Sequence, residues 1–274
     1  LSESGRDEES LPHHAKATEL APDHHEAWLN YGRSQANLGL YEQAIVSYDR
    51  AIQLNPDYAE AWYNKGVALD QLKRYSDSIA AYEQALRIRV DFVDAWVNKG
   101  AALDELKRYD EALADYEQAI RIQPAYAKAW NNKGFTLGEL KRYDEAFVAY
   151  DKALDIQPDY AEANHNLAHL YLSLMEFDKG WEKYEWRWLT KSFDSPKLAT
   201  QKPSWRGDRC SGRLLIWAEQ GIGDQILYGT LLGSLFLAEK RLPQRAQMFK
   251  FPEGDPHHYI TMSDHSSTQH HQDR

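Results

Sequence analysis

Between Ala59 and Phe92, apolar and small residues fall at Ala61, Trp62, Ala68, Leu69 and Leu72, then at Ile79, Tyr82, Ala85, Leu86 and Ile88. Both sets keep the three-to-four spacing of a helix rather than the alternation of a strand. A polar stretch, Lys73-Arg74 closed by Tyr75, separates them. The pattern predicts a helix, a tight turn and a second helix of about equal length. The unit then recurs: Trp28, Trp62, Trp96 and Trp130 stand 34 residues apart, as do Gly32, Gly66, Gly100 and Gly134, and Tyr48, Tyr82, Tyr116, Tyr150 and Tyr184. A fixed period of this length predicts a stack of near-identical units, and such stacks make surfaces more often than active sites. Small residues such as Gly66 and Ala85 let paired helices approach closely, while Trp62 and Tyr82 fill the space between pairs.

Start and stop residues place the boundaries. Asp23, Asp57, Asp91 and Asp159 each precede an acid by three residues (Glu26, Glu60, Asp94, Glu162), which predicts a capping box at each first helix. The fourth unit has Ala125 and Lys128 instead, so both halves of the pair are lost together. Ser76, Asp110, Asp144 and Asp178 are the expected N-caps of the second helices. Pro56, Pro124 and Pro158 follow those helices, where proline cannot extend them, and Val90 breaks the series.

These residues resemble the tetratricopeptide repeat. The match covers the aromatic at the fourth position, Gly at the eighth, Ala at the twentieth (Ala44, Ala112, Ala146), Tyr at the twenty-fourth, Ala at the twenty-seventh (Ala51, Ala85, Ala119, Ala153) and Pro at the thirty-second. The resemblance implies an all-α fold, an α-solenoid of helix-turn-helix repeats wound as a right-handed superhelix. Its units are 25–58, 59–92, 93–126, 127–160 and 161–194, after a partial repeat helix in 1–24. The last unit has Asn164, Ala168, Phe177 and Gly180 at its key positions and reads as a terminal seal. Ala17, Leu20 and Pro22 align with Ala51, Leu54 and Pro56, so the array opens on a severed second helix and the chain reads as a fragment.

The same resemblance puts each first helix on the inner wall. There Asn30, Asn64, Asn98, Asn132 and Asn166 recur, similar to the asparagine ladder of the O-linked N-acetylglucosamine transferases. A carboxamide both donates and accepts, so a spaced row can hold the backbone of an extended peptide without reading its sequence. The alternative use of these amides is hydrogen bonding between neighbouring helices. Tyr63 and other variable residues beside the row would add local specificity, and Asp70, Asp104 and Glu105 would favour a ligand carrying Lys or Arg. Tyr63 and Val67, or Val97 and Ala101, stand where a clamp for chaperone tails needs Lys and Asn, which argues against that ligand. The Lys-Arg pairs of the turns (Lys73-Arg74, Lys107-Arg108, Lys141-Arg142) form a solvated basic edge. Trp181, Tyr184 and Trp188 would share one face of a final helix, with Trp186 on another.

The pattern changes after Leu189. A linker at 195–212 rich in Pro, Ser and Gly leads to an apolar run from Leu214, a glycine loop at Gly221 and Gly223, and a second apolar run to Leu242. Strand, glycine loop and helix over 213–242 resemble the truncated opening of a Rossmann-like α/β domain. Together with Trp186, Trp188 and Trp205-Arg206-Gly207 they resemble the junction in bacterial proteins that join tetratricopeptide repeats to a heptosyltransferase-like, two-Rossmann glycosyltransferase domain. That likeness implies a sugar-nucleotide enzyme with Asp224 as general base and Gly221 and Gly223 shaping the loop. Only 50 residues follow Asp224, fewer than a domain of about 100–150 needs, so this chain is expected not to be an enzyme. The stretch 243–274 is expected to be disordered, and the lone strand and helix to dock on the stack or self-associate. Its histidines, such as His257 and His258, lack metal-ligand spacing, and no cofactor is expected.

Composition narrows the partners. A formal net charge of -10 without a basic stripe argues against nucleic acid. The longest apolar stretch, Ile226–Ala238, is broken by Gly229 and Gly233 and falls short of the ~20 residues that cross a bilayer, so no membrane role is expected. A single cysteine, Cys210, fits a reducing, cytoplasmic compartment. The expected function is a scaffold binding an extended protein segment; the alternative is a fragment of a repeat-bearing glycosyltransferase.

Overall fold

The computed structural model describes residues 3–190 and two short strands, Leu214–Trp217 and Tyr259–Met262. Residues up to Thr190 form one unit, and Lys191–Arg274 a second. The first is all-helical. It opens with α1 (Glu3–Leu20) and continues as helix pairs: α2 (His25–Asn37) with α3 (Tyr41–Leu54), α4 (Ala59–Gln71) with α5 (Tyr75–Ile88), and α6 (Val93–Glu105) with α7 (Tyr109–Ile122). Then come α8 (Ala127–Glu139) with α9 (Tyr143–Ile156), and α10 (Ala161–Ser173) with the short α11 (Phe177–Tyr184). A 3-10 turn, Glu185–Leu189, ends it, so Trp188 does not share a helix with Trp181 and Tyr184.

The turns are built alike. Lys73, Lys107, Lys141 and Met175 sit at φ 57, 58, 59 and 62, and Gly39 at φ 75, so each first helix ends on one left-handed residue. The next amide reaches five residues back: Arg74 N–H to the Leu69 carbonyl, Arg108 to Leu103 and Arg142 to Leu137, each at 2.9 Å. This satisfies carbonyls the helix end would leave unpaired. Because the turn is so tight, the second helix starts at once. Ser76, Asp110, Asp144 and Asp178 therefore lie inside its first turn, and the N-cap positions are Arg74, Arg108, Arg142 and Glu176. The expected caps are corrected accordingly. There the acids face the positive helix end, and Arg74, Arg108 and Arg142 fold onto Asp77, Glu111 and Glu145.

The first helices need the same correction. Their N-caps are His24, Tyr58, Phe92 and Tyr160, each one residue later than the capping box predicts, and Tyr126 in the fourth unit, which has no box. The tryptophans tie the preceding turn down instead. Nε1 of Trp28, Trp62, Trp96 and Trp130 donates to the carbonyl six residues earlier, on Pro22, Pro56, Val90 and Pro124, at 2.8–3.0 Å.

Glycine and tyrosine hold the first four pairs together. A Cβ placed on Gly32, Gly66, Gly100 or Gly134 would lie 2.5–2.9 Å from the ring of Tyr48, Tyr82, Tyr116 or Tyr150. Only glycine permits that approach. The core runs as successive clusters along the stack, such as Tyr48 with Ala51 and Ala61, and Tyr116 with Val97, Ala112 and Ala129. First helices approach one another from pair to pair, α2 with α4, α4 with α6, α6 with α8 and α8 with α10. The second helices α3, α5, α7 and α9 do not. The array therefore curves with its first helices inside.

In the second unit, β1 (Leu214–Trp217) falls where a strand is expected and pairs antiparallel with β2 (Tyr259–Met262), Leu214 opposite Met262. The sequence predicts no regular structure over 243–274, yet β2 lies there. A Rossmann-like opening leads to a parallel neighbour, which this pairing is not. The expected linker, glycine loop with Gly221, Gly223 and Asp224, and expected helix after it lie outside the described residues.

Candidate functional site

The inner wall carries the asparagine row, but not as five free amides. Asn30 is exposed and Asn64 half-buried, and neither makes a side-chain hydrogen bond among the described residues. Asn98 is engaged on both sides: its Nδ2 donates to Tyr63 Oη at 3.0 Å and its Oδ1 accepts from Lys128 Nζ at 2.9 Å. Asn132 accepts from Asn131 Nδ2 at 3.2 Å, and Asn166 donates to Asn131 Oδ1 at 3.1 Å. The expectation of an unbroken ladder is corrected here, because Asn98 and Asn166 bridge neighbouring first helices.

Around Asn98 the wall is a polar network spanning three helices. Tyr126 on the approach to α8 donates to Asp94 on α6. Lys128 is held below the usual lysine range by burial, against the pull of Asp94 and Asp70. Burial likewise pushes the Tyr63 phenol up to about 12, and its ring lies tilted against Phe92, ring centroids 4.6 Å apart. Sequence reasoning missed Tyr126 and Asp94 as partners. The signal was the paired change at Ala125 and Lys128, which puts a cation where other repeats carry an acid.

Asp70 and Asp104 are not open groove charges. Asp70 Oδ2 accepts from Tyr82 Oη at 2.6 Å, and Asp104 accepts from Tyr116 Oη at 2.6 Å and from Thr136 Oγ1 at 2.8 Å. Burial pushes the Asp104 carboxyl up to about 6, with the bonds from Tyr116 and Thr136 working the other way. Burial raises Asp70 for the same reason. These acids anchor the second helix, and in one case the next pair. Glu105, beside Asp104, is exposed.

The wall leaves Asn30 and Arg33 on α2 and Phe135 on α8 exposed, with Asn64 on α4 and Ala101 on α6 half-buried and Val67 half-buried against the Tyr82 cluster. Phe135 is 45 % exposed, although it sits three residues past the asparagine row. A wall of amides beside apolar side chains can pair with backbone and accept a side chain at once. Its far end holds His165, His169 and Tyr184 in mutual ring contact.

Right down to its glycine-tyrosine joints, this is an α-solenoid of stacked helix pairs. Tetratricopeptide-repeat family models match residues 32–73, then 59–92, 93–126 and 127–160, and 149–182. The chain therefore carries a tetratricopeptide-repeat array. Among solved structures, MamA is 26% identical, covering 58% of this chain and 92% of that one at a TM-score of 0.54. YrrB, described as "a TPR protein with an unusual peptide-binding site", is 22% identical over 63% of this chain and 89% of its own, TM-score 0.51. PilF of Pseudomonas aeruginosa is 22% identical over 59% and 74%, TM-score 0.54. The last two likenesses establish the fold alone. No curated protein matches the sequence. None of these matches supports the transferase resemblance of the C-terminal segment. Among the described residues, no helix is long and apolar enough to cross a membrane.

Proposed function

We propose that the array is a protein-interaction scaffold that holds an extended polypeptide segment along its inner wall. The observation that carries this reading is the set of inner residues left unsatisfied by the fold: the carboxamides of Asn30 and Asn64, and the half-exposed ring of Phe135. Packed helices lie about 8–10 Å apart, close to three residues of an extended chain at ~3.3 Å each. Amides on successive first helices thus meet every third peptide group. Val67, Ala101 and Phe135 receive side chains in between. Asn98, Asn132 and Asn166 shape this wall by joining its helices. Asp70 and Asp104 support it from behind, and a demand for basic ligands falls away with them.

The test is selection of binders from a random peptide library on the full chain, followed by affinity measurements on Asn30→Ala/Asn64→Ala and Phe135→Ala variants. Each carboxamide lost costs about 1 kcal/mol, so the double asparagine variant should bind roughly thirtyfold more weakly with unchanged helicity. Undiminished binding in both variants would place the ligand elsewhere.

A further inference from the structure

We propose that His165 and His169 form a two-imidazole site for a divalent first-row transition metal of the zinc, nickel or copper class, at the C-terminal end of the inner wall. The residues are one helical turn apart on α10, so both rings leave the same face. Their Nε2 atoms lie 3.2 Å apart. Metal–imidazole bonds of about 2.0–2.1 Å, meeting at tetrahedral to octahedral angles, set two nitrogens about 2.9–3.4 Å apart. The observed separation falls inside that window without a change of backbone. Small rotations about the soft outer side-chain torsion aim both lone pairs at a common point.

The surroundings hold the rings in place. Tyr184 lies against both, ring centroids 5.5 and 5.6 Å away, and limits their rotation. Arg187 is the opposing charge. Its guanidinium is stacked on Tyr184 and Trp188, and Glu185 pairs with it at 3.2 Å, which offsets the repulsion.

Among the described residues no cluster of three or more His, Cys, Asp or Glu could hold a metal ion, so this site supplies two protein ligands. Water, or a carboxylate or imidazole from a segment lying on the wall, fills the remaining positions. The site does not depend on that segment. The competing account of the short contact is a shared N–H···N hydrogen bond with no metal function.

Copper(II) chloride alone, titrated into the isotopically labelled full chain, separates the two through paramagnetic broadening of backbone amides. Amides of α10 should broaden at less than one equivalent, before those near His13, His24 or His257. In His169→Gln, at an exposed position, the α10 broadening should need at least tenfold more copper, while circular dichroism and broadening near the other histidines stay the same. His165→Gln should behave alike. Broadening of α10 that persists in either variant, or that trails the other histidines in the parent chain, overturns the site.

Discussion

Gly66→Ala tests the joint on which the whole array rests. The added Cβ would meet Tyr82 at 2.5 Å from Cε1, 2.8 Å from Cδ1 and 2.9 Å from Cζ. Carbon atoms in comfortable contact stand about 3.5–4.0 Å apart, so ring and helix must separate by roughly 1 Å. Tyr82 is fully buried and cannot swing into solvent, and its hydroxyl is fixed on Asp70 at 2.6 Å. Overpacking of this kind costs about 1–3 kcal/mol. Stretching a hydrogen bond to a buried carboxylate adds about 1.5–3 kcal/mol. Alanine returns up to about 1 kcal/mol through its better helix propensity. The net expectation is a loss of about 1.5–5 kcal/mol. Gly138→Ala on α8 is the internal control: its Cβ would have no neighbour within 4 Å, so only the propensity gain remains. Urea unfolding followed at the helical circular-dichroism band compares them. If Gly66→Ala matches the parent chain, or equals Gly138→Ala, the glycine-tyrosine joint does not limit the approach of the helices.

Lys107 holds a left-handed conformation at φ 58, which a side chain resists, so Lys107→Gly should stabilise by up to about 1 kcal/mol and Lys107→Val should destabilise, read from urea midpoints. Trp62→Phe deletes the Nε1–H bond to the Pro56 carbonyl and should cost about 1 kcal/mol, with α4 loosening first in hydrogen exchange. Asp104 sits at about 6 in the fold against 3.8 ordinarily, so between these values the folded chain binds more protons than the unfolded one. Stability from this group therefore falls as pH rises from about 4 to about 6, by at most about 3 kcal/mol and by roughly 1–2 kcal/mol once partial exposure is allowed for. Asp104→Asn removes that dependence: it should gain on the parent chain by this amount between about pH 4.5 and about pH 7.5, and a constant difference in urea midpoint would refute the assignment.

Period and helix pairing were legible because each unit repeats the same close contact, and a close contact tolerates few residue types. The ends of the elements were not. Asp57 looks like a cap, but the Trp62 indole ties the preceding turn one residue further along, and the helix begins after Tyr58. The acids were legible as inner-helix positions and illegible in role, because Asp70 and Asp104 meet tyrosines twelve residues on across the pair. Where Asp70 and Asp104 stand, Ala36 and Gly138 occupy the first and fourth repeats, so Tyr48 and Tyr150 lack this carboxylate.

The asparagine row shows how far such reasoning can go once the helix contacts are known. Asn98 and Asn166 each donate to the residue 35 positions earlier, Tyr63 and Asn131, both polar. Asn64 and Asn132 look back over the same interval to Leu29 and Val97, which offer no acceptor on the side chain. Identical backbone geometry thus engages the donor of Asn98 or Asn166 across to the preceding repeat and denies Asn64 and Asn132 that bond, according to a single residue there. Asn132 turns to Tyr116 within its own pair, and Asn64 makes no side-chain bond among the described residues. The stack bonds its own asparagines where that residue is polar. Where it is apolar, no such bond forms, and under the proposed function the segment is held chiefly at Asn30, Asn64 and Phe135 rather than evenly along the array.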